Sequence, residues 1–165
     1  MKIDLKNLSG KPGASLPFSG EADLRREELY GAYPFQRPVV YSGEIKNHLG
    51  VLHLTGTIKT IYSTCCARCL EPLEIELEAQ TDTLLTHDPA AADSEDEVFL
   101  LTGNEVEVED ILAPALFLQV EMAYLCDPDC KGLCPHCGIN RNQSSCSCAD
   151  REIDPRLAVL ESLLK

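Results

Sequence analysis

The residues best suited to chemistry are six cysteines within the 23 residues from Cys126 to Cys148. Their spacing is C-x3-C-x3-C-x2-C-x8-C-x-C, and Leu133 and Ile139 are the only large aliphatic residues between them. Ordering a backbone costs about 1–2 kcal/mol per residue, and so few apolar side chains cannot offset that cost by forming a core. We therefore expect covalent or coordinate bonds between the cysteines to hold the segment.

The choice between disulfides and a metal depends on the redox environment. The first twenty residues lack the continuous apolar region of a secretory signal, so we expect a cytoplasmic chain with reduced thiols. Clustered thiols with C-x2-C spacing are then more often metal ligands than disulfides, and nine cysteines cannot all pair. Zinc held by four thiolates supplies a binding free energy on the order of 10 kcal/mol, enough to order this segment.

The strongest local signal is Cys134-Pro135-His136-Cys137-Gly138, where the glycine allows the backbone turn that brings two thiolates to one ion. A tetrahedral site needs two further ligands. The spacing leaves two candidate pairs open, Cys146 with Cys148 or Cys126 with Cys130.

A rival arrangement uses cysteines from the middle of the chain. Cys66 and Cys69 have the same C-x2-C spacing and would face Cys134 and Cys137, as the two knuckles of a zinc ribbon do. That arrangement would attach the C-terminal segment to the preceding domain. Cys65 is expected to be a spectator, and the spacing does not decide whether one or two zinc ions bind.

A catalytic role for the cysteines is not predicted. C-x2-C is also the redox dithiol spacing, but such sites follow a strand in a βαβ pattern, which is absent around Cys66 and Cys134. The four histidines are scattered, and no phosphate-binding loop occurs. We therefore predict that the chain is not an enzyme, and the alternative function is a zinc-thiolate redox sensor that releases its metal on oxidation.

The composition limits the possible partners. The 165 residues contain 27 acidic and 14 basic side chains, and the formal net charge is −13. A body this acidic repels phosphate backbones, so we expect no DNA binding and favour a basic protein as the partner. The longest apolar run, from Ile111 to Val120, is interrupted by Pro114 and is too short to cross a bilayer, so we also expect a soluble chain without membrane association.

The elements that position the cysteines are mainly predicted strands. Apolar and polar residues alternate over 51–62 and 73–85, and residues 47–50 suit a turn between antiparallel strands. Over 73–80 the alternation indicates one buried and one acidic face. The pair Cys66 and Cys69 would lie in the connection between two strands.

A few helices complete the prediction. Residues 21–30 suit a short helix, 107–122 a longer one containing Pro114, and a terminal helix would begin near Asp154. The fold class is therefore α+β, with a mainly antiparallel sheet or barrel-like domain over residues 1–125. Residues 126–165 would form the zinc-binding segment and terminal helix, packed on that domain.

The residues that carry these signals also resemble a known family. CARCLEP at 66–72, the cysteine set from 126 to 148 with KGLCP at 131–135, and DPRLA at 154–158 are similar to the bacterial YceD family. The resemblance covers essentially the whole chain. It implies a cytoplasmic, non-enzymatic factor needed for normal levels of the large-subunit (23S) rRNA, acting in ribosome assembly.

The two lines of reasoning together predict an acidic domain that binds a basic ribosomal protein or a pre-50S particle. Direct contact with rRNA would depend on the few basic residues near the cysteines, Arg68, Lys131 and Arg141. The simpler interpretation of these three residues is that they compensate the charge of the thiolates.

Overall fold

The computed structural model describes residues 1–90 and 97–148, and this part of the chain contains seven strands and two helices. In chain order they are β1 Lys2–Asp4, α1 Lys6–Ser9, β2 Ser15–Ala22, β3 Val39–His48, β4 Val51–Cys65, β5 Pro72–Thr86, β6 Val98–Leu100, β7 Glu105–Glu107 and α2 Glu109–Phe117.

The strands form two open sheets. The larger has the order β2-β3-β4-β5-β6, and the smaller pairs β1 with β7. The pairs β2–β3, β3–β4 and β1–β7 are antiparallel, whereas β5 and β6 are parallel. The prediction of a β-rich α+β fold is confirmed. The barrel-like alternative is wrong for the described strands, because β2 and β6 form the two edges of the larger sheet and do not pair with each other.

The chain divides into two compact units. The first comprises residues 1–64 and 72–124, and the second comprises residues 65–71 and 125–165. The division expected from the sequence, between residues 125 and 126, lies next to one of these boundaries but leaves 65–71 in the first region. Residues 65–71 group with the second unit because Cys66 and Cys69 lie among thiols of the C-terminal segment.

The β3–β4 hairpin turns where the sequence predicted. Leu49 and Gly50 form its two-residue loop with φ values of 54° and 99°, as the tightest hairpin turns require. The side chain of the fully buried Asn47 fixes this turn: its Oδ1 accepts from the Gly50 N–H at 2.7 Å, and its Nδ2 donates to the Leu8 carbonyl at 2.7 Å.

Strand β5 confirms the predicted alternation. Leu77, Ala79 and Leu85 are buried, and the acidic residues between them are exposed. On the buried side lies a core centred on Phe35, whose ring centroid is 5.8 Å from that of Tyr62 and 5.6 Å from that of Phe117. Helix α2 adds Leu112 and Leu116, which are fully buried.

The helix predicted over residues 21–30 is wrong. Glu21 and Ala22 are instead the end of strand β2, and residues 23–30 form no helix. Each residue of β2 pairs with a residue of β3, from Ser15 with Lys46 to Ala22 with Val39. This stretch contains glycine, serine and proline residues, which disfavour a strand, but Phe18 is buried and pairs opposite Gly43. Tertiary pairing therefore decides its structure rather than local propensity.

The predicted helix over residues 107–122 is shorter than expected. Helix α2 ends at Phe117, and the following residues Gln119 and Val120 donate to carbonyls only three residues earlier. Pro114 lies inside the helix and has no N–H to donate to the Asp110 carbonyl, but the ladder continues beyond it, since the Leu118 N–H donates to the Pro114 carbonyl at 3.1 Å. The predicted terminal helix from Asp154 lies outside the described residues.

Candidate metal centres

Eight of the nine cysteines form two groups of four in the second unit. Within each group all four sulfur atoms lie within 4.8 Å of one another. We call them site A and site B. Site A consists of Cys66, Cys69, Cys126 and Cys130, and site B consists of Cys134, Cys137, Cys146 and Cys148.

The sulfur separations of site A fit a tetrahedral ion. The Cys66 and Cys130 sulfurs are 3.8 Å apart, and the Cys69 and Cys126 sulfurs are 3.5 Å apart. Two sulfurs bound to one zinc at about 2.3 Å in a tetrahedron lie about 3.8 Å apart, whereas disulfide sulfurs lie about 2.05 Å apart. The donor set and its spacing therefore suit a metal ion that prefers thiolates.

The first half of site A is a knuckle between strands β4 and β5. The Cys66 N–H donates to the Glu71 carbonyl at 2.8 Å, and the Leu70 N–H donates to the Cys66 carbonyl at 3.0 Å. Leu70 has a φ of 61°, so the backbone reverses sharply there. The Arg68 N–H lies 3.4 Å from the Cys66 sulfur and donates to it. The turn thus holds Cys66 and Cys69 side by side.

The second half of site A is the turn from Cys126 to Cys130. The Cys130 N–H donates to the Asp127 carbonyl at 3.0 Å, and the Asp127 carboxylate accepts from the Asp129 N–H at 2.7 Å. The Arg68 guanidinium joins the halves by donating to the carbonyls of Pro128 at 3.2 Å and Cys130 at 3.0 Å. Arg68 therefore has a structural task in the unit.

Site B is built on the knuckle that the sequence singled out. The Cys134 N–H donates to the Ile139 carbonyl at 2.8 Å, and the Gly138 N–H donates to the Cys134 carbonyl at 2.9 Å. Gly138 has a φ of 73°, a conformation that favours glycine, as the sequence argument required. After the loop of residues 138–145, the sulfur atoms of Cys146 and Cys148 lie beside those of Cys134 and Cys137.

The thiols of site A differ in acidity. Burial raises the pKa of Cys66, but hydrogen bonds from backbone N–H groups outweigh this effect and lower it to about 6. The Asn142 side-chain amide, 3.2 Å from the Cys130 sulfur, lowers the pKa of that thiol. Hydrogen bonding with the Cys69 thiol raises the pKa of Cys126 to about 12. Ionising all four thiols together therefore requires a cation among them.

Site B shows the same pattern. The N–H groups of Cys137 and His136 lower the pKa of Cys134 to about 6. Hydrogen bonding with the Cys137 thiol raises the pKa of Cys148 to about 12. Each site thus has at least one thiol whose pKa is lowered, and a cation would stabilise the thiolates that form when the remaining protons leave.

The structure brings together one of the pairings that the spacing left open. It places Cys134 and Cys137 with Cys146 and Cys148, and not with Cys126 and Cys130. The rival arrangement of Cys66 and Cys69 with Cys134 and Cys137 does not occur, because Cys126 and Cys130 occupy that place instead. Cys65 is exposed and lies outside both groups.

Sequence reasoning missed two residues that organise these sites, Asn142 and Glu71. The Asn142 side chain contacts a site A sulfur, and the Glu71 carboxylate accepts from the side chains of Asn140 and Gln143. The available signal was the polar composition of residues 140–145, which contain two asparagines and a glutamine between site B ligands.

The basic residues near the cysteines do not make this unit positively charged. Its described residues carry three basic side chains, Arg68, Lys131 and Arg141, and three acidic ones, Glu71, Asp127 and Asp129. A divalent ion bound by four thiolates leaves a net charge of −2, so filling both sites would make this part of the unit strongly acidic.

The fold and these clusters define a β-sheet protein with a cysteine-rich unit that could hold two metal ions. The chain belongs to the YceD family, because the family model described as "Large ribosomal RNA subunit accumulation protein YceD" matches residues 54–164. The match includes all eight cysteines of sites A and B. It confirms the resemblance seen in the motifs.

Individual relatives agree with this assignment. The chain is 28% identical over 154 residues to the chloroplastic large ribosomal RNA subunit accumulation protein YCED homolog 1 of Zea mays, covering 74% of this chain and 52% of the relative. It is 34% identical over 118 residues to an uncharacterized protein of Mycobacterium tuberculosis, covering 70% and 56% respectively. The chain thus spans about half the length of the curated relatives it matches. No solved structure matches it significantly.

Among the described residues, neither helix has the length and apolar character that crossing a bilayer requires.

Proposed function

We propose that this protein is a non-enzymatic cytoplasmic factor that supports accumulation of the large-subunit (23S) rRNA during ribosome large-subunit biogenesis. The observation that carries the proposal is the family match over residues 54–164, which includes both cysteine clusters. The name of the Zea mays relative states large ribosomal RNA subunit accumulation and describes that protein as chloroplastic. The proposal assigns no catalytic residue to the chain.

Zinc is the proposed occupant of sites A and B. Four cysteine sulfurs at tetrahedral spacing form the donor set of structural zinc sites, and such closed sites leave no open position for a substrate. Filling both sites would order residues 126–148, which contain too few apolar side chains to fold around a core. The metal thus has a structural role in the proposal.

The charge distribution supports a basic ribosomal protein, alone or within a pre-50S particle, as the direct partner. The exposed face of β5 carries Glu74, Glu76, Glu78 and Asp82, and the net charge of the chain is −13. Glu78 pairs with Lys59 at 2.8 Å and Glu74 with Arg37 at 3.2 Å, but all four side chains are exposed. Exposed pairs of this kind contribute about 0–1 kcal/mol, so a basic partner can replace them.

Direct rRNA contact is the less favoured route. Arg68 already donates to two carbonyls of its own unit, and two zinc tetrathiolate sites would give its described part a negative net charge. A negative surface repels the phosphate backbone. Arg68, Lys131 and Arg141 therefore serve best as compensation for the thiolate charge.

Sedimentation of the tagged protein from lysate tests the proposed association. We expect it to migrate with large-subunit precursors at low and moderate salt, and to remain at the top of the gradient only after the particle is disassembled. Migration at the top under all conditions would count against the proposal. The amount of protein recovered with the particle is then plotted against salt concentration on logarithmic axes. A steep fall would favour rRNA as the direct contact, and a shallower fall would favour a protein.

A matched pair of variants tests the acidic face. Replacing Glu74 and Glu76 by glutamine should weaken particle association severalfold. The same change at Glu27 and Glu28, two exposed acidic residues outside the sheet, should leave it nearly unchanged. Equal effects of both variants would show that only net charge matters.

A zinc-thiolate redox sensor is the second candidate. The accessibility of site B favours it, because Cys137 is exposed and Cys146 and Cys148 are half-buried. Oxidation of two thiolates by a peroxide would form a disulfide and release zinc, while the peroxide is reduced to water. Peroxide-induced zinc release accompanied by loss of particle association, both abolished by Cys134→Ser, would favour this function.

A further inference from the structure

Asn142 belongs by sequence to site B but contacts site A. It lies in the loop between Cys137 and Cys146, yet its side-chain Nδ2 donates to the Cys130 sulfur at 3.2 Å. Its Oδ1 accepts from the Lys131 N–H at 2.7 Å, so both ends of the amide are engaged. The side chain is therefore fixed in the orientation that presents its N–H to a site A ligand.

Glu71 makes the reciprocal connection. Its main chain belongs to the site A knuckle, because its carbonyl accepts from the Cys66 N–H at 2.8 Å. Its side chain reaches the site B loop, where Oε1 accepts from Asn140 Nδ2 at 3.2 Å and from Gln143 Nε2 at 2.5 Å. One residue thus holds the position of the first knuckle and of the loop between the site B ligands.

The backbone between the sites adds a third connection. The Leu133 N–H donates to the Arg68 carbonyl at 3.0 Å, which joins the chain just before Cys134 to the site A knuckle. Gly132 has a φ of 69°, and a Cβ placed there would lie 2.9 Å from the Arg68 carbonyl oxygen. The backbone just before Cys134 therefore packs directly against the site A knuckle.

We propose that sites A and B bind metal cooperatively, with Asn142 and Glu71 as the positioning residues that couple them. The inference rests on the proposed occupation of both sites by zinc. An ion at site B fixes the loop of residues 138–145, and the fixed loop presents the Asn142 amide to Cys130. Hydrogen bonds of this kind orient a ligand and stabilise it as the thiolate that the ion needs. An ion at site A fixes the Glu71 knuckle and so orders the same loop from the other side.

Reciprocity gives the first test. Emptying one site must lower the metal affinity of the other, and thermodynamic linkage requires the two factors to be equal. The double variants Cys134→Ser/Cys137→Ser and Cys66→Ser/Cys69→Ser each leave one site intact. Each variant is titrated with cobalt(II), and binding is followed by the thiolate-to-cobalt absorption. The remaining site should bind cobalt at least about fivefold more weakly than the same site in the full chain, and the factor should be the same for the two variants.

The second test uses the coupling residues. In Asn142→Ala, the factor by which an occupied site raises the metal affinity of the other should fall toward one, because alanine removes the N–H donor without adding charge. Glu71→Ala should act in the same way, whereas Glu71→Gln retains an Oε1 acceptor and should restore much of the coupling. Ser145→Ala, at an exposed residue of the same loop, is the matched control and should behave as the unmodified chain.

Cadmium-113 NMR separates a positioning role from general loss of structure. The cadmium-loaded protein should give two signals, assigned with the double variants. Asn142→Ala should shift the site A signal, because it removes a hydrogen bond to a site A sulfur, while the site B signal persists and shows that the loop still folds. A site A signal unchanged in position and affinity would overturn the role of Asn142.

The cobalt titrations also distinguish failure of the cooperativity from failure of the zinc assignment on which it rests. Two sites that fill independently, with factors below about twofold, would overturn the cooperativity and leave the zinc assignment intact. A full chain that binds no cobalt, cadmium or zinc at either site would overturn both.

Discussion

The sulfur atoms of Cys66 and Cys130 lie 3.8 Å apart, although 64 positions separate the two residues along the chain. Cys69 and Cys126 meet in the same way at 3.5 Å. These contacts draw the connection between β4 and β5 into the cysteine-rich unit. An ion at this place closes a long loop of the chain, and removal of the ion should therefore affect more than the local turn.

The first prediction concerns metal content. Protein purified under reducing conditions with zinc present should contain two zinc ions per chain, because the chain offers two complete sets of four thiols. Cys66→Ser/Cys69→Ser and Cys134→Ser/Cys137→Ser should each lower the content toward one. Elemental analysis measures the ratio. Cys65→Ser should retain both ions, since Cys65 lies outside both sites, and a metal-free but well-folded second unit would contradict the prediction.

The second prediction concerns pH. Metal affinity should fall as the pH falls, because protons compete with the ion for thiolates. The pKa of Cys66 and that of Cys134 are lowered to about 6, so these two thiols are mostly ionised at neutral pH before metal binds. Below pH 6 each site must release one more proton on binding, and the dependence of affinity on pH should become steeper there. Competition with a chelator from pH 8 to 5 measures it, and a constant slope would count against these pKa values.

The third prediction concerns Tyr41 in the first unit. Its hydroxyl donates to the Glu109 carboxylate at 2.8 Å, and burial first, then this hydrogen bond, raise its pKa to about 12. A raised pKa stabilises the fold fully below about pH 10, the value of an exposed tyrosine, and this stability is lost as the pH rises through 12. Tyr41→Phe should lower the free energy of unfolding by about 1–3 kcal/mol at neutral pH and weaken the alkaline loss.

Urea unfolding at pH 7 and at alkaline pH measures both effects. Tyr33→Phe is the control, because Tyr33 is about half exposed and its side chain should contribute little. An equal loss of stability in both variants would argue against the hydrogen bond between Tyr41 and Glu109.

The fourth prediction concerns Gly43, where the backbone of β3 packs closely against the Phe18 ring. A Cβ at this position would meet the Thr55 carbonyl oxygen and lie 2.7 Å from both the Gly56 Cα and the Phe18 ring. Gly43→Ala should therefore lower the free energy of unfolding by about 1–3 kcal/mol. Chemical denaturation measures it. Gly103→Ala, where a Cβ would meet nothing within 4 Å, should change the stability by less than about 0.5 kcal/mol.

Local periodicity predicted much of the sheet. The alternation over residues 73–85 predicted which residues of β5 are buried, because neighbouring side chains of a strand point to opposite faces. The turn at Leu49 and Gly50 was predicted for a similarly local reason, since a two-residue loop needs a residue such as glycine at positive φ. β2 was missed because its composition, with Pro17 and Gly20, resembles a loop, and only pairing with β3 makes it a strand.

The cysteine spacing by itself predicted cross-links in residues 126–148, because this stretch lacks the apolar side chains for a core. It also identified the Cys134 and Cys137 knuckle, whose geometry depends on a local turn at Gly138. The partners of each pair were decided only by tertiary structure. Cys66 and Cys69 lie more than fifty positions from Cys126 and Cys130, and spacing carries no information about which distant thiols meet once the chain has folded. The placement of Asn142 against Cys130 depends on that same long-range folding, and so the connection between the two sites became visible only in three dimensions.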